Sequence, residues 1–203
     1  LNFKTPQTLL IATHNPGKVR EIRQFLSSLP IQTVGLEILT NTDPWIETGS
    51  TFEENARQKA EYYSQLSSFL TVADDSGLII DALDGQPGVL SARFVGASAT
   101  DEDRNREILR LMSEVPEEKR QARFFCCLSL ARKGKLLDFY DGVVEGLVAK
   151  EPRGEFGFGY DPIFFIPPLG KTMAEITPEE KLTLSHRGFA LRKLAEGLRL
   201  LLL

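Results

Sequence analysis

Apolar runs and helical stripes alternate along the 203-residue chain. Thr8-Leu9-Leu10-Ile11-Ala12-Thr13 is mostly apolar and predicts a buried strand. Val19, Ile22, Phe25, Leu26 and Leu29 follow at helical spacing. Asn15 suits the cap of that helix, Pro16 its first position, and Pro30 its end. Ile31 to Val34 predicts a second strand; residues 37–50, broken by Asn41, Asp43, Pro44 and Gly49, predict a loop. Thr51-Phe52-Glu53-Glu54 has capping-box form and opens a helix to about Ser67. A strand over Phe69 to Ala73 comes next, Leu78 to Ile80 continues extended, and Gly85-Gln86-Pro87-Gly88 turns. Thr100-Asp101-Glu102-Asp103 begins a helix carrying Ile108, Leu109, Leu111 and Met112. Ala122 to Ala131 and Leu136 to Val148 predict two long strands around Lys133-Gly134-Lys135. Glu155 to Tyr160 is glycine-rich, Asp161 to Ile166 reads as extended, Thr177-Pro178-Glu179-Glu180 starts a short helix, and Ser185 caps the last one.

Helices alternate with strands, but the later strands form a hairpin. The expected fold is α/β, a long mixed sheet flanked by helices. No repeat, low-complexity tract or linker interrupts it, so residues 1–203 are expected to form one domain. A net charge of −4 argues against a general nucleic-acid binder. Cys126 and Cys127 are neighbours on a predicted strand and point to opposite faces, which argues against a disulfide and for a reducing cytoplasm. No signal peptide is expected before the first strand, and no apolar run approaches membrane-spanning length. Leu200 to Leu203 is expected to close the last helix against the core.

Four groups of residues carry chemistry. Asp74-Asp75-Ser76-Gly77 places two carboxylates at the end of a predicted buried strand. Burying such charges is costly unless a cation is near. Carboxylate oxygens favour Mg²⁺ or Mn²⁺; Glu47 is a further acid, although it sits just before a helix start and taken alone fits a capping role better. A turn with one Asp as a cap fits the same four residues. Thr13-His14-Asn15-Pro16-Gly17-Lys18 joins the first strand to the first helix, where free N–H groups and the helix dipole suit phosphate. It lacks the Walker glycine and Lys-Ser/Thr spacing, and an ordinary capped helix with a solvated lysine fits it equally. Glu155-Phe156-Gly157-Phe158-Gly159-Tyr160-Asp161-Pro162 alternates glycine with aromatics, which suits either stacking of a flat ring or a plain hairpin loop. Lys181, His186 and Arg187 fall within seven residues, a donor cluster that favours an electron-rich ligand over a bare helix start.

In order along the chain, six runs resemble the inosine triphosphate pyrophosphatase family: Ala12 to Lys18, Thr51 to Ala56, Ala73 to Leu78, Gly88 to Arg93, Phe158 to Pro162 and Ser185 to Arg187. They cover nearly the whole chain. The resemblance implies Mg²⁺-dependent hydrolysis of non-standard purine nucleoside triphosphates (ITP, dITP, XTP) to monophosphate and pyrophosphate. It also implies two lobes around a central substrate cleft, and a homodimer. By position, Thr13, His14, Asn15, Pro16, Gly17 and Lys18 bind the triphosphate, and Lys59 lies near it. Asp75 is the catalytic base and a metal ligand, with Asp74 and Glu47 as further ligands, and Ser76 contacts substrate. Phe158, Gly159, Tyr160, Asp161, Lys181, His186 and Arg187 hold the nucleoside. Ile46 stands where a second acid is common, and His14 where small residues are.

Three other readings compete. A Maf-type pyrophosphatase acting on pyrimidine or modified nucleotides lacks a use for the Ser185-His186-Arg187 cluster. A nucleotide sensor without turnover has no need of the Asp74-Asp75 pair. A phosphatase with an aspartyl nucleophile would call for acid-x-acid spacing, and here the acids are adjacent.

Overall fold

The structure is a computed structural model that describes residues 7–40 and 42–202; Asn41 and Leu203 lie outside the described residues. Seven strands form one mixed sheet: β1 (Gln7–Ala12), β2 (Ile31–Gly35), β3 (Leu70–Ile80), β4 (Gln121–Arg132), β5 (Lys135–Val148), β6 (Phe164–Ile166) and β7 (Lys171–Thr172). Their order is β2-β1-β3-β4-β5-β6-β7. β1 pairs parallel with β2 and β3, while β5–β6 and β6–β7 are antiparallel. Five helices accompany them: α1 (Pro16–Leu26), α2 (Phe52–Gln65), α3 (Asp101–Leu111), α4 (Pro178–Leu184) and α5 (His186–Leu202). No described helix is long and apolar enough to cross a membrane.

The described residues pack as two compact units: residues 7–40, 42–75, 126–141 and 189–202 make the first, and residues 76–125 and 142–188 the second. In the first, Leu9, Ile11, Val72, Leu128 and Leu130 from the strands bury against Ile22 and Leu26 of α1 and Leu191, Leu194 and Leu198 of α5. A further cluster joins Leu10, Ala12 and Ala73 to Ala60 and Tyr63 of α2. In the second, Leu78, Ile80, Ala122, Phe124 and Phe164 bury against Ile108 and Met112 at the end of α3. The hairpin turn between β4 and β5 is Lys133-Gly134, both at positive φ, the conformation that matches strand twist in a two-residue connection.

Three expectations need correction. The acidic pair does not end a strand: β3 is one strand of 11 residues that runs through Asp74 and Asp75 to Ile80. It can do so at Gly77 because a side chain there would meet Ser91 Oγ at 2.2 Å. Ser91 Oγ accepts the Leu78 N–H at 3.0 Å and donates to Gly88 O at 2.6 Å, so the segment after the strand packs directly on the glycine. Asp161–Ile163 is a 3₁₀ turn, with Pro162 in its first turn, and only Phe164–Ile166 is extended. Leu200 and Leu201 do not close α5 on the core, being 76% and 55% exposed. The buried stripe of α5 ends at Leu198, and Leu200 falls two residues past it, off that face.

Candidate active site

The first cluster is built where β1 hands over to α1. The Asn15 side chain accepts the Lys18 N–H at 3.1 Å, and Thr13 Oγ1 accepts the Asn15 N–H at 3.2 Å. Pro16 opens the helix, whose first turn holds no acid, so the positive end of the dipole keeps no carboxylate of its own. Lys18 reaches back to β3, its Nζ 2.6 Å from Asp74 Oδ1. The Cys126 thiol donates to Asp74 Oδ2 at 3.5 Å. From α2, Lys59 Nζ lies 2.7 Å from Glu47 Oε1 and donates to the Asp74 carbonyl at 3.3 Å.

Asp75 follows on β3 and is only 5% exposed. Burial pushes its carboxyl up to about 6; Lys18 and Lys59 pull it down, and Glu47 raises it further. Three carboxylates therefore share two ammonium groups: Asp74 pairs with Lys18, Glu47 with Lys59, and the Asp75 charge is incompletely neutralised. Oxygen donors around a buried, under-neutralised carboxylate suit a hard divalent cation. Among the described residues no three His, Cys, Asp or Glu side chains converge as a complete cage. Mg²⁺ does not require one, since it is commonly held by one or two carboxylates together with substrate phosphates.

Sequence reasoning placed Lys59 near the triphosphate but left Asn55, Tyr63 and Cys126 of this cluster without a role. Asn55, Lys59 and Tyr63 are buried at four-residue spacing on α2, one stripe of polar groups turned inward. Asn55 Oδ1 accepts the Gly49 N–H at 2.7 Å, and its side chain also helps lower the Asp75 pKa. Tyr63 Oη accepts the Trp45 N–H at 3.1 Å and lies 3.4 Å from His14 Nε2. The four-residue period of buried polar residues was the available signal for Asn55 and Tyr63. Cys126 had none, because its partner is 52 residues away.

The second cluster gathers Ser76, Phe158 to Asp161, Lys181, His186 and Arg187. Ser185 caps α5 through the Gly188 N–H at 3.0 Å and sets His186 and Arg187 in the first turn. Arg187 is 2% exposed and donates to Ser76 Oγ at 2.8 Å. Lys181 belongs to the last turn of α4, where the dipole welcomes a cation, so it does not share the helix start expected for it. Its Nζ lies 2.5 Å from Asp161 Oδ2, which also accepts the Phe158 N–H at 2.8 Å. Lys181 and Arg187 stand 4.7 and 5.5 Å from the centre of the Phe158 ring. His186 stacks on Phe124 at 4.6 Å. Tyr160 is pinned by its hydroxyl to Ser91 O at 2.8 Å. Gly157 has φ +81°, and a side chain there would meet Asp161 Oδ2 at 2.0 Å, so the loop needs a glycine.

A buried aromatic face beside fixed N–H donors can hold a flat, carbonyl-bearing ring. A helix N-terminus with lysines and buried acids can hold phosphate oxygens and a water. The model of the Ham1 family matches residues 9–197. A dITP/XTP pyrophosphatase of Bacillus subtilis is 46% identical over 187 residues, 92% of this chain and 94% of that one. One from Yersinia pseudotuberculosis is 44% identical, covering 95% and 98% of the two chains. The solved structure of a HAM1 protein from Coxiella burnetii superposes with a TM-score of 0.86 at 39% identity, over 95% and 98% of the two chains. With matches of this identity and coverage on both sequence and structure, the chain belongs to the Ham1 family.

Proposed function

We propose that this chain hydrolyses the non-standard purine nucleoside triphosphates ITP, dITP and XTP to the nucleoside monophosphate and pyrophosphate, with Mg²⁺ or Mn²⁺ as cofactor. The relatives' names support the substrate class. The observation that carries the reaction is Asp75, a buried carboxyl raised to about 6 beside Lys18 and Lys59. A carboxylate of that basicity can take the proton of an attacking water near neutral pH. Lys18 and the Gly17 N–H, within the Thr13–Lys18 run at the start of α1, bind the triphosphate and stabilise charge on the departing pyrophosphate. His14, beside Tyr63, joins this set, and Lys59 holds Glu47 in place. Asp75 and Glu47, with Asp74 behind Lys18, would hold the divalent ion, whose chemistry when bound is to neutralise phosphate charge.

His186 and Arg187 donate to the 6-oxo edge of hypoxanthine or xanthine, and Phe158 stacks on the ring. Adenine presents an amino donor at that position and leaves a donor unpaired, which a built hydrogen-bonding site rejects strongly. The reading includes residues 1–203 as one catalytic domain and a cytoplasmic homodimer acting on free nucleotides, without nucleic-acid or membrane partners. Light scattering tests the dimer.

The deciding experiment incubates the protein with ITP, XTP, GTP and ATP plus Mg²⁺ and identifies both products by ³¹P NMR. The expected result is IMP or XMP with pyrophosphate, and little reaction with ATP. Orthophosphate and a nucleoside diphosphate as initial products would overturn the mechanism.

A further inference from the structure

Gly159 sits at φ +64° between the ring that stacks and the tyrosine that anchors. A side chain there would meet nothing within 4 Å, so the residue is glycine for its backbone conformation and not for space. Such a peptide needs its polar groups satisfied, and neither goes to a neighbour in the loop. The Gly159 N–H donates to Asp101 Oδ2 at 2.7 Å, and the Gly159 carbonyl accepts from Asn105 Nδ2 at 3.0 Å. Asp101 and Asn105 lie four residues apart, on one face of α3. One helix face thus grips both ends of a single residue.

The grip is built at some cost. Asn105 is 7% exposed, and among the described residues its Oδ1 has no hydrogen-bond partner. A leucine would fill that place without an orphaned oxygen; only the amide donor gives asparagine a reason to be there. Asp101 is itself held by an ion pair with Arg104, whose guanidinium donates to Ala92 O at 3.1 Å and to Ala99 O. Beyond this contact lies a groove of about 540 Å³, lined by Phe156, Phe158, Leu109 and Pro162 as well as Asp101 and Asn105. The Phe158 loop therefore has open space on that side and is kept from it by these two hydrogen bonds.

We infer that Asp101 and Asn105 are positioning residues: they fix the Gly159 peptide and thereby hold the Phe158 ring where it receives the purine. The inference rests on the proposed role of Phe158 as the base-stacking residue. It assigns base recognition a dependence on α3, an element with no direct place in the second cluster.

The test compares Asn105→Asp, Asp101→Ala and Asp101→Asn with wild type in two measurements. Amide hydrogen exchange of residues 156–161, made without nucleotide, reads the grip alone. Asn105→Asp keeps the size but replaces the donor by an acceptor facing a carbonyl. Both it and Asp101→Ala should exchange faster in that segment, whereas Asp101→Asn, which retains an acceptor, should stay close to wild type. In steady-state kinetics the first two should raise KM for ITP about tenfold, with kcat changed about twofold or less, the scale of losing one buried hydrogen bond. Their preference for ITP over ATP should shrink by a similar factor, and Asp101→Asn should restore it. Unchanged exchange in Asn105→Asp would overturn the grip. Faster exchange with unaltered KM and preference would overturn its role in base recognition. Loss of the wild-type preference for ITP would instead strike the proposed function, leaving the exchange data to decide the grip.

Discussion

Asp75 is an expensive residue to bury. Its carboxyl is raised from an ordinary 3.8 to about 6, chiefly by burial. Between those pH values the folded protein holds a proton that the unfolded chain has lost, so this residue's contribution to stability falls as pH rises through that window. Above about pH 6 the full penalty is present, on the order of 3 kcal/mol for roughly two pKa units. Asp75→Asn, which has no charge to bury, is therefore predicted to be more stable than wild type at pH 7.5 in EDTA. The gain should vanish by about pH 4. The same variant should lose turnover by about 10²-fold or more, the scale of general-base loss, and wild-type kcat/KM should fall below about pH 6. Denaturant titrations at both pH values, beside a pyrophosphate-release assay, check the trade. Equal stabilities at pH 7.5 would remove the claim that Asp75 is held against its own solvation. The sequence showed this residue clearly because its cost is local: two adjacent acids among apolar neighbours. It did not show Asn105, whose function depends on a glycine 54 residues away.

Among the elements, those with strong local grammar were legible and those decided by packing were not. Asn15-Pro16 and Thr51-Phe52-Glu53-Glu54 start helices at the expected places, with Asn15 and Thr51 accepting the Lys18 and Glu54 N–H groups, although Glu54 takes the Ser50 N–H and does not complete the capping box. The continuation of β3 past the acids was hidden, because it depends on Gly77 and on a serine 14 residues later filling the space above it. The segment before β4 was equally silent. There Arg120, 4% exposed, donates to Val148 O at 2.8 Å, Met112 O at 2.6 Å, Val115 O at 3.2 Å and Ala149 O at 2.9 Å. One guanidinium closes the end of α3 and the end of β5 together, and a lysine has too few rigid donors to replace it. Arg120→Met should leave these carbonyls short of donors and cost about 3 kcal/mol or more. For a chain of this size that lowers Tm by roughly 6–12 °C, using about 2–4 °C per kcal/mol. Calorimetry with Arg120→Lys as an intermediate case checks it, and a wild-type Tm in the methionine variant would show the carbonyls are satisfied otherwise.

At the scale of the whole molecule, the two clusters should separate under mutation. Lys18→Ala removes a charge that every nucleoside triphosphate would meet, so kcat/KM should fall alike for ITP, XTP and ATP, and their ratios should hold. Arg187→Ala removes a donor to the base edge. It should cost the 6-oxo substrates roughly 10- to 150-fold in kcat/KM, the value of a charged hydrogen bond, and narrow the ITP-to-ATP preference by a similar factor. Equal losses for ITP and ATP in Arg187→Ala would move that residue to the phosphates or to structure. The mixed sheet itself was legible as a class from the alternation of elements and the late hairpin. Its strand order was not, since β1 pairs with β3 across some sixty intervening residues and no local pattern encodes that partner.

Cys126 and Cys127 are fully buried thiols side by side on β4, neither in a disulfide, and burial pushes the Cys127 thiol up to about 12. Only the thiolate reacts with disulfide reagents, so the native protein shields both sulfurs by access and Cys127 by protonation as well. The chain thereby carries its own stopwatch for unfolding. Mixed with excess thiol reagent, it should release two equivalents of chromophore together, at a rate that stops rising with reagent concentration once opening of β4 becomes limiting. Saturating Mg²⁺ and a slowly hydrolysed nucleotide should lengthen that time by mass action. A spectrophotometer alone can then report whether a compound binds the folded protein, with no turnover required.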